Sequence, residues 1–74
     1  MDKYVEIIGN SEDYTFHINH NLGTKDIIVQ VYKLSTGGSY HVLINRINDN
    51  EVMIGFDEKE EPPKAGMFKV VIIG

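Results

Sequence analysis

Apolar side chains in this chain recur at every second position far more regularly than at every third or fourth. Between 14 and 19, Tyr14, Phe16 and Ile18 alternate with Thr15, His17 and Asn19, the period of a strand with one buried face. Segment 27–34, IIVQVYKL, is apolar at both parities, which predicts a central strand covered on two sides. In a domain of this size the second cover is expected to be another subunit. The two strands are joined by a polar corner, 20–26. Asn21, Gly23 and Asp26 favour turns there, through positive φ or through side-chain bonds to nearby backbone. Leu22 reads as a plug that returns the corner to the core, so His20, Leu22 and Gly23 are the expected structural corner.

The remaining segments repeat this rhythm. Residues 3–8 form a first strand, broken by Gly9, Asn10 and Ser11. Its charged start, Asp2 and Lys3, suits an exposed sheet edge; the alternative is an arm over 1–10 that pairs with a neighbouring subunit. Residues 35–39 have the composition of a hairpin loop. Strand 40–47 follows, with Tyr40, Val42, Ile44 and Arg46 on one face, then a tight turn at 48–50. Val52, Ile54 and Phe56 share one face of the next strand, 51–57. A polar loop over 57–66, carrying Pro62 and Pro63, excludes regular structure, and 67–73 closes the chain as an apolar strand. With β-branched residues dominating the runs, the prediction is one all-β domain over 1–74. Its architecture is a small antiparallel β-sandwich or open barrel of about six strands, rich in meanders.

A chain of 74 residues buries a limited core, and its lack of cysteine removes disulfide support. Association is the remaining reinforcement, so a homo-oligomer is expected. The net charge is −4, with seven Lys and Arg scattered singly, and this argues against a nucleic-acid partner. No apolar run approaches the ~20 residues of a membrane helix. The opening segment MDKYVEIIGNSEDY lacks the apolar centre of a signal peptide, so cytoplasmic synthesis and no membrane partner are expected.

The candidate chemistry is sparse. His17 and His20 are three residues apart and fall on opposite faces of a strand, so they do not converge on one ion. The expectation is a surface His17, a His20 whose ring bonds to loop backbone, and neither metal nor cofactor. Ser35, Thr36 and Ser39 are ordinary turn formers. Gly37-Gly38 lacks the strand-loop-helix setting of a phosphate cradle. The acids of 57–61 lack the alternating pattern of a calcium loop. With no catalytic residue set, an enzyme is not expected. Phe16, Phe56 and Phe68 suit the core. Tyr4, Tyr32 and Tyr40 are candidate interface anchors or sugar-stacking platforms, and Tyr32 and Tyr40 flank one hairpin and are expected close together.

Segment HINHNLGTKDIIVQVYKLSTGG, followed by an isoleucine-rich strand, INDNEVMIGF, a Pro-Gly loop and MFKVVIIG, resembles a recurring β-module of tailed-bacteriophage structural proteins. The matching positions are His20, Leu22, Gly23, Asp26, Val29, Val31, Asp49, Asn50, Val52, Ile54, Phe56, Pro63, Gly66, Phe68, Val70 and Ile72. The resemblance covers about residues 14–74 and leaves the first strand outside it. It implies a non-enzymatic virion protein that assembles on or decorates the capsid or tail, as a trimer or hexamer beside other virion proteins. The alternative it leaves open is a carbohydrate- or receptor-binding module that attaches to a host surface glycan. In the larger members of that family the module is one part of a long chain, which favours a small decoration protein or an excised domain here.

Overall fold

The computed structural model describes residues 2–74. Its strands are β1 (Lys3–Ile8), β2 (Thr15–Asn19), β3 (Ile28–Lys33), β4 (Ser39–Tyr40), β5 (Leu43–Asn48), β6 (Glu51–Gly55) and β7 (Phe68–Ile73). They form two antiparallel sheets, one of four strands in the order β1-β7-β3-β4 and one of three in the order β2-β6-β5. The sheets share one core, and the chain is a small all-β sandwich.

Alternation decides which side chains enter that core. From the four-stranded sheet come Ile8, Val31, Phe68, Val70 and Ile72; from the three-stranded sheet come Ile18, Val52 and Ile54. Ladder register aligns these residues in rows. Tyr4 lies opposite Ile72 and Ile72 opposite Val29, while Phe16 faces Ile54 and Ile54 faces Ile44. Directly opposed residues of an antiparallel pair point to the same face, so each row enters the core together.

The structure corrects the sequence expectation in two places. Strands β2 and β3 do not pair; the corner between them carries the chain from one sheet to the other. Stretch 40–47 is not one strand. Tyr40 pairs with Val31 in the first sheet, and three residues later Leu43 pairs with Gly55 in the second. His41 and Val42 span that crossing, and the described residues form seven strands. Alternation continued through the crossing, so periodicity alone did not reveal it. β3 is central, as expected, and within one copy its outer face is open, where Ile28 is 72% exposed.

The two outer faces differ in character. Outside the four-stranded sheet, register aligns Lys3, Ile73 and Ile28, then Val5, Val71 and Gln30, then Ile7, Lys69 and Tyr32. Six of these nine side chains are apolar or aromatic, and none is acidic. Outside the three-stranded sheet, the rows are Thr15, Gly55 and Leu43, then His17, Met53 and Asn45, then Asn19, Glu51 and Asn48, a mostly polar surface.

Candidate functional site

The corner after β2 is built from backbone bonds that its residue types make available. His20 N–H donates to the Asn50 carbonyl at 2.8 Å, and Asn21 N–H reaches the same oxygen at 3.3 Å. This extends the β2–β6 ladder beyond its last paired residues. Asn21 then takes a φ of 55° and Gly23 a φ of 72°, conformations that asparagine and glycine tolerate. Gly23 N–H donates to Asn50 Oδ1 at 2.9 Å, so Asn50 holds the corner through both its backbone and its side chain. Leu22 packs against the core cluster.

Among the described residues His20 is the one buried polar side chain, 3% exposed. Its Nδ1 accepts the Leu22 N–H at 3.1 Å, which assigns the ring proton to Nε2. Nε2 is buried and meets no protein acceptor. The ring therefore acts as a local brace, at the cost of one unpaired donor. Arg46 locks the other side of the corner. Its Nε donates to the Lys25 carbonyl at 3.0 Å, and Nη2 donates to the Ile27 carbonyl at 2.7 Å. Arg46 shares the strand parity of Ile44, which turns its guanidinium toward the segment leading into β3. Which carbonyls would serve was invisible in the sequence.

The histidines do not come together. His17 lies on the outer face of β2, with Nδ1 3.0 Å from Glu51 Oε2 and a side chain 60% exposed, while His20 is buried and His41 sits in the sheet crossing. Among the described residues no group of three or more His, Asp or Glu could hold a metal ion. In the acidic loop, Asp57 Oδ1 accepts Lys59 N–H at 2.9 Å and its carbonyl accepts Glu60 N–H at 3.2 Å. This is turn geometry.

The three candidate tyrosines occupy three different settings. Tyr4 is half-buried at the sheet edge, and its hydroxyl donates to Glu6 Oε1 at 2.5 Å. Tyr32 faces outward from β3. Tyr40 pairs with Val31, an inward residue, so it lies on the opposite face of the sheet from Tyr32. Its ring packs on Phe68 and Phe56, at centroid distances of 4.8 and 5.9 Å, and Phe16 meets Phe56 edge-on at 5.9 Å. Tyr40 hydroxyl donates to Glu60 Oε2 at 3.1 Å, and Tyr14 hydroxyl donates to the Glu60 carbonyl at 2.7 Å. Glu60 thereby ties the polar loop over the aromatic cluster. The hydrogen bond to Glu6 raises the Tyr4 phenol above its ordinary value, helped by burial and the carboxylate's charge. Glu60 raises that of Tyr40 for the same reasons.

Three concave regions stand out among the described residues, one of them an open depression beside the sheet crossing lined by Thr15, His41, Leu43, Met53, Phe56 and Asp57. A second open depression lies among Asn19, Asn21, Asn48, Asn50, Lys25 and neighbouring acids; it contains no aromatic ring on which a sugar could stack. A smaller hollow under the Pro62-Pro63 turn is closed by Tyr40, Glu60 and Phe68. The most distinctive surface is therefore the apolar outer face of the four-stranded sheet, which overlaps the candidate tyrosines only at Tyr32. Comparison with protein-family models, curated proteins and solved structures finds no match for this chain.

Proposed function

We propose that this chain is a non-enzymatic structural module of a tailed-bacteriophage virion, which assembles on or decorates the capsid or tail. The observation that carries the assembly reading is the outer face formed by Val5, Ile7, Ile28, Tyr32, Val71 and Ile73. Ile28 and Ile7 are 72% and 58% exposed. Apolar groups clustered in this way on a small domain mark a surface that gains by being covered. On the opposite sheet face Leu43, 59% exposed, stands among mostly polar neighbours, so the two faces differ in character. The virion part of the reading rests on the resemblance at the corner, the Asp49-Asn50 turn and the closing Pro-Gly strand.

Light scattering across concentration tests the assembly. A mass that is a whole multiple of the 8.4 kDa chain is expected, with a lower mass for Ile28→Lys. A monomer at millimolar concentration, unchanged by that substitution, would refute it. The genes beside this one test the virion assignment. Capsid, tape-measure or tail genes are expected, and a metabolic operon would remove the phage reading.

A further inference from the structure

We propose that two copies of this chain join edge to edge through β1, antiparallel and about a two-fold axis at Val5. Their two four-stranded sheets would then run on as one sheet of eight strands. This rests on the assembly reading above and names the surface through which assembly begins.

The inference follows from which backbone groups are already used. Asp2 and Gly74 exchange both of their N–H···O bonds, at 3.0 and 2.9 Å. In an antiparallel ladder such bonded residues alternate with residues whose N–H and C=O point the other way. Asp2, Tyr4, Glu6 and Ile8 therefore turn their backbone toward β7, while Lys3, Val5 and Ile7 turn theirs outward. Among the described residues no strand lies beyond β1 and nothing bonds these outward groups.

A second copy supplies the complement. A two-fold axis perpendicular to the sheet at Val5 sets Lys3 opposite Ile7, Val5 opposite Val5 and Tyr4 opposite Glu6. Each facing pair of outward residues then exchanges both bonds. Charges agree with this register: each Lys3 meets an isoleucine, and each Glu6 carboxylate meets a tyrosine of the other copy. Glu6 is the one inward-facing charge that would blunt this edge, and Tyr4 already hydrogen-bonds it. Sliding the strands by two residues sets Glu6 against Glu6, or Tyr4 against Tyr4, and loses a facing pair. Sliding by one residue sets outward groups against inward-turned ones.

The other edges are poorer templates. β4 has two residues, and β5 carries an irregularity between Arg46 and Asn48. β2 is regular, but its equivalent axis would fall on His17 and stack two imidazoles, with Thr15 against Asn19. β1 has no proline or bulge, and Val5, Ile7 and Ile8 are strong strand formers. Three full strands of six residues give the outer face a footprint of roughly 290 Å². Edge joining doubles the apolar face before any stacking.

The test combines proline substitution with amide exchange. Val5→Pro removes an N–H that bonds nothing within one copy, so an edge strand tolerates it, yet it deletes a donor from each copy at the axis. His17→Pro is the matched control. Tyr14 and His20 bond toward β6, so the His17 N–H points off the free edge of β2. Wild-type protein is expected as even multiples of 8.4 kDa, halved by Val5→Pro and unchanged by His17→Pro. In wild type, the Val5 and Ile7 amides should become protected from exchange as concentration rises. Should Val5→Pro lose its far-UV CD spectrum, wild-type exchange alone decides. An odd-numbered assembly, or one in which the Val5 and Ile7 amides still exchange freely, overturns the edge pairing and leaves the assembly reading standing. A monomer at every concentration overturns both.

Discussion

Replacing Gly9 by alanine should be among the most damaging single-methyl changes in this chain. Gly9 ends β1 with a φ of 122°, and a Cβ built there stands 2.1 Å from the Lys64 carbonyl oxygen. That carbonyl is not free to retreat, because it accepts the Met67 N–H at 3.1 Å, and the adjacent Pro63 carbonyl accepts Ser11 N–H at 2.8 Å. Two costs combine. Forcing a side chain into that backbone region costs about 1–3 kcal/mol. Pushing Lys64 away strains or breaks two hydrogen bonds worth about 1 kcal/mol each. The sum, about 3–5 kcal/mol, is a large share of the roughly 4–11 kcal/mol expected for a domain of this length. Gly37→Ala separates the terms, because Gly37 has a φ of 75° with nothing within 4 Å of an added Cβ. Its loss should be only the left-handed strain, about 1–2 kcal/mol. Thermal and urea unfolding followed by far-UV CD should place the two variants' midpoints about 10 °C apart or more. Equal losses would show that the clasp between the turn after β1 and the loop before β7 contributes nothing, and would refute the steric account.

His20→Ala should destabilise by about 2–4 kcal/mol, through lost packing and a released Leu22 N–H. His20→Asn should lose about 1 kcal/mol less, because an asparagine can bond the N–H two residues on; identical losses in urea unfolding would deny the ring its bracing role. Tyr4 and Tyr40 should ionise above pH 10 in absorbance titration, since neighbouring carboxylates oppose phenolate formation. The folded state holds these protons more tightly than the unfolded chain. Their contribution to stability is therefore fully present below pH 10 and falls as pH rises through the folded values. Tyr40→Phe should remove one late-ionising phenol, and a titration that stays unchanged would argue against the Glu60 contact.

Strand positions, the inner-facing rows and the turn at 48–50 were legible in the sequence alone. Alternation, β-branching and turn chemistry act over a few residues, so Tyr14, Phe16 and Ile18 declare one strand whatever surrounds them. His20, Leu22 and Gly23 likewise announced a corner through local residue type. Tertiary structure alone decided which strands became neighbours. β2 and β3 adjoin in sequence yet lie in different sheets, and stretch 40–47 divides at His41, because pairing partners are chosen by the packing of the whole core. The acceptors of Arg46, the Lys64 carbonyl against Gly9 and the opposite facings of Tyr32 and Tyr40 are likewise long-range outcomes. The two-sided apolar pattern of 27–34 reported that both faces are greasy. Only the assembled sheets showed that the face bearing Ile28 is open, because burial belongs to the folded surface and a periodic pattern does not encode what lies across from it.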